Sequence, residues 1–320
     1  MQDQNLPIAT VFNNWKDFSG ILPDVPIAGS PERTLNRWVV QDRLGDRYLL
    51  EQIPAENLEL KRCIINVLDF LHDQHCPYIQ PYCKTVNNET LVNEKGTWWQ
   101  LIPFMQGVEL DRGNYFNDGW RGKSLANFLV QLRTATTNID SVCNHTGFSI
   151  TWFINDLLKK LEQHSPQVFK HLLELSNALK EFENIFDGLE IGFCHGDVHP
   201  LNVIWGHDDI ISVIDWEFHG PRARIFDAAN LVGCLAMEDP RALTAETVKS
   251  MLLVLHDNEY FNDVEWRVFL EYIIATRFLW LSDWLRRKDE KMINLELSLM
   301  YLLFDNRKMI RQHWNFAKPS

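Results

Sequence analysis

The hydrophobic period of this chain changes near residue 105, and inside the second part it reverts once, briefly. Residues 37–42 and 46–53 are strand-like and flank Arg43-Leu44-Gly45, a good hairpin turn. After Pro54, residues 55–74 place Leu58, Ile64, Ile65, Leu68 and Leu71 at helical spacing. Two more strand-like runs follow, 82–86 and 97–104, with Asn87-Asn88 and Glu94-Lys95-Gly96 as turn residues. This series of strand, strand, helix, strand, strand ends at Pro103 and Gly107, which read as a connector.

Beyond Gly107 the pattern is helical. Ser165-Pro166 marks a helix start, with Ser able to cap and Pro at the first helical position. Val168, Phe169, Leu172, Leu173, Leu179, Phe182 and Phe186 then form one apolar stripe that Gly188 can end. Residues 264–287 and 290–314 read as two long helices with core-facing stripes. The class is therefore α+β, with a small sheet in residues 1–105 and a mainly helical part in 106–320. The reversion lies between the helices: residues 191–194, 202–205 and 210–214 are brief strands, the last two separated by the turn Gly206-His207-Asp208-Asp209. A small hairpin inside a helical lobe needs a reason, and its polar residues supply one.

Charge excludes some functions first. Across 320 residues, 31 Lys+Arg face 43 Asp+Glu, a net charge of -12. Residues 1–105 carry 9 basic and 13 acidic side chains, so neither part is a basic arm. Affinity for a polyanion comes mainly from Lys and Arg on phosphates, so neither a nucleic-acid partner nor a polybasic membrane contact is expected. No stretch has the roughly 18–20 apolar residues of a membrane span, and the start lacks the pattern of a signal peptide. The six Cys, at 63, 76, 83, 143, 194 and 234, contain no C-x-x-C and read as reduced thiols of a cytoplasmic protein.

The interruption reads Phe193-Cys194-His195-Gly196-Asp197-Val198-His199-Pro200-Leu201-Asn202, and Ile214-Asp215-Trp216-Glu217 follows. A kinase catalytic loop has the form H-x-D-x-x-x-x-N followed by a second, metal-holding Asp; His195, Asp197, Asn202 and Asp215 meet that spacing. Phosphoryl transfer asks the protein for in-line positioning and charge neutralisation. Asp197 is the expected base, orienting the acceptor hydroxyl and taking its proton. Asn202 and Asp215 are the expected ligands of Mg²⁺, a hard cation that prefers oxygen. Trp216 could offer its face to a cationic acceptor or simply pack beneath the metal loop. Trp266, Trp280 and Trp284 lie on helical stripes, as core or cleft-wall residues.

His195-Gly196-Asp197-x-x-x-x-Asn202 with Ile214-Asp215-Trp216-Glu217 resembles the aminoglycoside phosphotransferase and choline kinase-like superfamily of small-molecule kinases. The resemblance implies a protein-kinase-like bilobal fold. Its antiparallel-sheet N-lobe (1–105) would bind the nucleotide, and its helical C-lobe (106–320) would carry the catalytic hairpin and the acceptor site. It implies an interlobe hinge at Pro103-Phe104-Met105, a nucleotide base against the hinge near Ile102, Phe104 and Met105, and ATP or GTP as co-substrate. Gly196 stands where protein kinases usually carry Arg, and no Ala-Pro-Glu segment follows Asp215. Both departures favour a small hydroxylated acceptor, such as an amino sugar, amino alcohol or amino acid.

Two parts of that pattern are missing. The third strand of such folds carries a Lys, paired to a Glu on the next helix, that grips the α/β-phosphates; here the place holds Glu51 or Gln52. Lys61, Arg62 or Arg47 could substitute. The phosphate-covering loop is represented by Gly29 alone. The N-acetylhexosamine kinases resemble this chain in a third strand with polar residues other than Lys. The missing Lys motivates an alternative, a nucleotide-binding pseudokinase or ligand sensor; a protein Ser/Thr kinase is less consistent with Gly196. Among neighbouring residues, His195 is expected to brace the loop, His199 to pack it or touch substrate, and Asp227 to cap a helix or pin an Arg. Arg222 and Arg224 could meet phosphate or an anionic substrate, and Glu217 could reach the metal's outer shell or the acceptor, or lie on a solvated surface.

Overall fold

The computed structural model describes residues 8–29, 33–139, 142 and 147–314. A short helix, α1 (Ile8–Phe12), leads into β1 (Phe18–Ile21), β2 (Asn36–Asp42) and β3 (Arg47–Ile53). Asp42 shapes the β2–β3 turn, where its Oδ1 accepts from the backbone N–H of Leu44 and Asp46, each at 2.9 Å. Gly45 supplies the positive φ of 93° that this turn requires. Then come α2 (Leu58–Asp73), β4 (Leu91–Glu94) and β5 (Thr97–Pro103), giving an antiparallel sheet in the order β1-β2-β3-β5-β4. Alternation along the strands sends Val40, Tyr48, Leu50 and Leu101 into a cluster with Val11, Phe12 and Trp15 of the α1 region. Helix α2 looks the other way. Its Ile64, Val67, Leu68 and Leu71 join the main core, which the helical lobe dominates.

That lobe contains α3 (Gly119–Ala135), α4 (Ile150–His164), α5 (Pro166–Lys180), α6 (Glu183–Asp187), α7 (Phe226–Glu238), α8 (Glu246–Asp257), α9 (Asp263–Arg287), α10 (Glu290–Asp305) and α11 (Arg307–His313). Asn262 and Glu265 start α9 with a reciprocal capping box. Deep between α9 and α10, Arg277 grips Glu296 with two hydrogen bonds of 2.6 and 2.8 Å, and Trp284 Nε1 donates to the same carboxylate. Between α6 and α7 the strands β6 (Ile191–Cys194), β7 (Val203–Trp205), β8 (Ile210–Val213) and β9 (Gly220–Ala223) make two small antiparallel ribbons, β7–β8 and β6–β9. The structure thus has the expected sheet-bearing N-terminal lobe and mainly helical C-terminal lobe with an embedded hairpin.

Several boundaries depart from the sequence pattern. Residues 82–86 are not a strand. Cys83 N–H donates to Leu101, but Thr85 Oγ1 then accepts from Asn87 and Glu89 N–H and curls the chain into a turn, so β4 forms later. Strands β1 and β9 lacked a distinctive pattern, being short and rich in Gly, Ser and Pro. The stripe from Val168 to Phe186 is broken between α5 and α6, and the Ser165 side chain makes no capping bond. The run 290–314 is two helices parted at Asn306. Cys76, Cys83, Cys194 and Cys234 are free thiols, whereas Cys63 is disulfide-bonded, against the expectation of an all-reduced chain.

Candidate active site

The loop after β6 is held by its own backbone. His195 is fully buried; its Nδ1 accepts the Asp197 N–H at 3.2 Å while its Nε2 lies 3.0 Å from the Ile214 carbonyl. These two partners require the neutral imidazole with the proton on Nε2, because a protonated Nδ1 could not accept. Burial favours the same form and lowers the pKa from 6.5 to about 4. Gly196 follows with φ +85°, and a Cβ there would stand 2.1 Å from the Phe218 carbonyl oxygen. Glycine is therefore a steric requirement of this turn. Asp227, in the first turn of α7, accepts the N–H groups of His195 and Gly196, each at 2.8 Å, one on each carboxylate oxygen. Its burial pushes its pKa up to about 6 even though both N–H bonds favour the ionised form. It neither caps a helix nor pins an Arg; it clamps the loop.

Asp197 emerges from this clamp with its side chain 19% exposed. Asn202 is buried and donates Nδ2 to the Asp197 carbonyl at 2.9 Å and to its Oδ2 at 3.1 Å. The Asn202 carbonyl in turn accepts the Ile214 N–H at 2.9 Å, coupling the loop to the segment that carries Asp215. Asp215 itself is left-handed, with φ 63° and ψ 59°. A non-glycine residue in that region carries a modest conformational penalty and occurs often at functional sites. Asn202 Oδ1 and the Asp215 carboxylate are hard oxygen donors on adjoining segments. Mg²⁺ is usually held by one or two protein groups together with phosphate oxygens and water, so this donor set suits it.

Asp215 also lines the cleft between the lobes. The apolar end of the cleft is formed by Leu49, Ile102, Phe104, Met105 and Ile204. At its polar end stand Arg33, Arg37, Glu51, Lys61, Asp215 and Glu217. The segment after β5 is pinned at both ends: Phe104 N–H donates to the Arg47 carbonyl at 2.9 Å, and Val108 N–H to the Trp205 carbonyl at 2.8 Å. Gly107 permits this close pass, since a Cβ would meet Ile204 at 2.8 Å and the Trp205 oxygen at 2.9 Å. Gly29, with φ +78°, lies against Asp215, where a Cβ would come 3.1 Å from Oδ2. Ile102, Phe104, Met105 and Asp215 thus share one cleft with Gly29 at its edge, while Asp197 and Asn202 stand together on the adjoining loop.

The structure distinguishes the three candidate cations. Arg47 donates to Gln106 at 3.1 Å, and exposed Arg62 lies over the Trp98 ring at 5.7 Å. Lys61 points into the cleft, 3% exposed, and its Nζ is 2.9 Å from Oε1 of Glu217, itself 12% exposed. Burial opposes the Lys61 charge, but Tyr82, Glu217 and Glu51 outweigh it and hold the ammonium above its usual range. Burial raises the Glu51 carboxyl, against the pull of Lys61 and of a 2.5 Å hydrogen bond from Gln100. Glu217 is therefore neither solvated nor unpartnered.

Other residues are resolved similarly. Arg222 donates to the Phe218 carbonyl and lies over Phe148 and Phe226, and Arg224 pairs with Glu190 and Glu265. Trp216 is buried, donates to the Val213 carbonyl and packs on His195 at 4.4 Å, which makes it scaffold. His199 Nδ1 accepts the Leu201 N–H, and its Nε2 faces Asp197 Oδ2 at 3.7 Å. Trp280 stands 5.9 Å from the His199 ring, with Nε1 donating to Asn230. The sequence pattern missed the Asp227 clamp and the Lys61–Glu217 pair. Both join residues far apart in the chain, 31–32 and 156 positions respectively.

Comparison with known proteins defines the class. The chain belongs to the phosphotransferase enzyme family (APH), whose model matches residues 26–254. It is a phosphotransferase with a kinase-like fold. Its fold is similar to that of an aminoglycoside phosphotransferase from Alicyclobacillus acidocaldarius, at 16% identity over 98% of each chain with a TM-score of 0.67. A microcompartment-associated aminopropanol kinase is 13% identical over 95% of this chain and 98% of its own, with a TM-score of 0.67. An amicoumacin kinase in complex with AMP-PNP and Ca²⁺ is 14% identical over 97% and 94%, with a TM-score of 0.66. No curated protein sequence matches the chain. No helix among the described residues is long and apolar enough to cross a membrane.

Proposed function

We propose that the protein transfers the γ-phosphoryl group of ATP or GTP to a hydroxyl of a small aminated metabolite, such as an amino sugar, amino alcohol or amino acid. Residues 1–105 form the nucleotide-binding lobe and 106–320 the lobe that holds the acceptor. The observation that carries this reading is the coupling of Asp197 to Asn202 and, through Ile214, to Asp215 at the edge of a cleft with one apolar and one charged end. A planar base suits the apolar end at Ile102, Phe104 and Met105, and the phosphates suit the end that Gly29 covers.

Asp197 accepts the proton of the acceptor hydroxyl as the oxygen attacks the γ-phosphorus and the bond to the β-phosphate oxygen breaks. Asn202 holds the Asp197 carboxylate in place, and His195, Gly196 and Asp227 fix the backbone beneath it. Asn202 and Asp215 would hold Mg²⁺, which supplies neutralisation of phosphate charge. His199, beside Asp197, and Trp280, against the His199 ring, offer aromatic surface to an acceptor. The names of the structural relatives, an aminopropanol kinase and an antibiotic kinase complexed with AMP-PNP, support the same class of substrates. A nucleotide-dependent reaction of this kind suits the cytoplasm, where nucleoside triphosphates are abundant.

The test is a mass-spectrometric screen of the purified protein with Mg-ATP and Mg-GTP against pooled hydroxylated amines. One product should gain a phosphoryl group, and Asp197→Asn should lower that transfer by about 10²–10⁴-fold while leaving nucleotide affinity intact. Undiminished transfer by Asp197→Asn would overturn the assignment of the base. Binding of Mg-nucleotide without transfer to any acceptor would favour a sensor.

A further inference from the structure

We infer that Lys61, on helix α2, is the cation that grips the nucleotide's α/β-phosphates, and that the usual places of amine and carboxylate on strand and helix are exchanged here. This rests on the phosphotransfer reading above and adds a substrate-binding residue to it. In kinase-like sites a strand Lys meets the phosphates and a helix Glu steadies it. Here the strand supplies the carboxylate, Glu51, and the helix supplies the amine, Lys61.

Three observations support the exchange. First, β3 directs Glu51 into the polar end of the cleft, where it sits cross-strand between Arg37 on β2 and Gln100 on β5, and Lys61 lines the same end. What matters to a phosphate is where the ammonium stands, and a Lys stem can reach one place from either element. Second, an ammonium has three N–H donors, and Glu217 takes one of them at 2.9 Å. That bond ties the amine to the residue two positions beyond Asp215, so the cation and the proposed metal ligand are set by one segment. Third, the other cations lining the cleft have contacts of their own. The Arg37 guanidinium donates to the carbonyls of Ala28 and Gly29 at 3.2 and 3.1 Å, and that of Arg33 lies 4.4 Å from the Phe218 ring. An ammonium so placed, beside a metal-binding carboxylate, suits an incoming polyphosphate.

The experiment separates the phosphates from the base. Calorimetric affinities for adenosine and Mg-ATP, or for guanosine and Mg-GTP if the wild type prefers them, are compared for wild type, Lys61→Met and Asp197→Asn. Lys61→Met should lose triphosphate affinity by about 10- to 100-fold, as expected for a hydrogen bond to a charged group, and keep its nucleoside affinity. Asp197→Asn should keep both. If Lys61→Met does not fold, Lys61→Gln, which retains an N–H for Glu217 without the charge, should show the same selective loss. Unchanged triphosphate affinity in the folded variant, or equal loss for nucleoside and triphosphate, overturns the role of Lys61. A wild type that itself does not prefer the triphosphate overturns the phosphotransfer reading instead.

Discussion

The two sides of the cleft are built on different plans. On the helical side, Asp197, Asn202 and Asp215 come from one short stretch, and hydrogen bonds from His195, Asp227 and Ile214 hold its backbone at several points. On the sheet side, the charged group Glu51, Lys61 and Glu217 is drawn from a strand, a helix and the far segment after Asp215, with side chains making the joins. The first plan fixes geometry through the main chain and tolerates little. The second needs only that a charge arrive at a place, so residue types can be exchanged between elements.

The sharpest way to break this contrast is Gly196→Ala. With a Cβ 2.1 Å from a carbonyl oxygen and φ at +85°, the loop must move. Displacement of a reacting group by about 1 Å costs on the order of 10²-fold in rate, so kcat should fall at least that far while nucleotide affinity is retained. Asp227→Asn should come next. The amide can accept only one of the two N–H bonds without offering its own N–H to a donor, and the loss should cost about 1.5–3 kcal/mol of stability in urea unfolding. An unchanged midpoint would show that the clamp is redundant.

A pH series tests the same brace more gently. Because His195 titrates near 4 when folded and near 6.5 when unfolded, its contribution is complete above pH 6.5 and is lost as pH falls from 6.5 toward 4. Asp227, raised to about 6 from 3.8, has the opposite slope over much of that window. The informative quantity is therefore the stability difference between wild type and His195→Gln, and imidazole ¹⁵N shifts should show neutral His195 down to about pH 4. The smallest effect is expected on the sheet side. Arg62→Ala, one residue from Lys61, should leave triphosphate affinity unchanged and cost at most about 1 kcal/mol through its contact with Trp98. A large loss of affinity there would move the phosphate cation off Lys61.

What could be read without coordinates follows from the same contrast. His195, Asp197 and Asn202 lie within eight positions, so their grouping leaves a spacing in the sequence, and Asp215 follows an apolar strand. The end of β5 at Pro103 was legible because the strand-like run stops there in Pro and the period changes. Strand 82–86 was misplaced because Thr85 bonds its own backbone, which local side-chain bonding does at the expense of a ladder. The division at α5–α6 was missed because apolar periodicity runs through a break that only backbone hydrogen bonding reveals.

The amino-acid sequence by itself determined the α+β order and the loop that carries Asp197, because these depend on neighbours along the chain. Only the tertiary structure decided that Asp227 clamps the loop, that Trp216 is scaffold, and that Lys61 rather than Arg62 or Arg47 faces Glu51 and Glu217. Lys61 and Glu217 are 156 positions apart. Whether two charges so separated meet depends on how α2 packs into the core, and no local pattern of residue types encodes that contact.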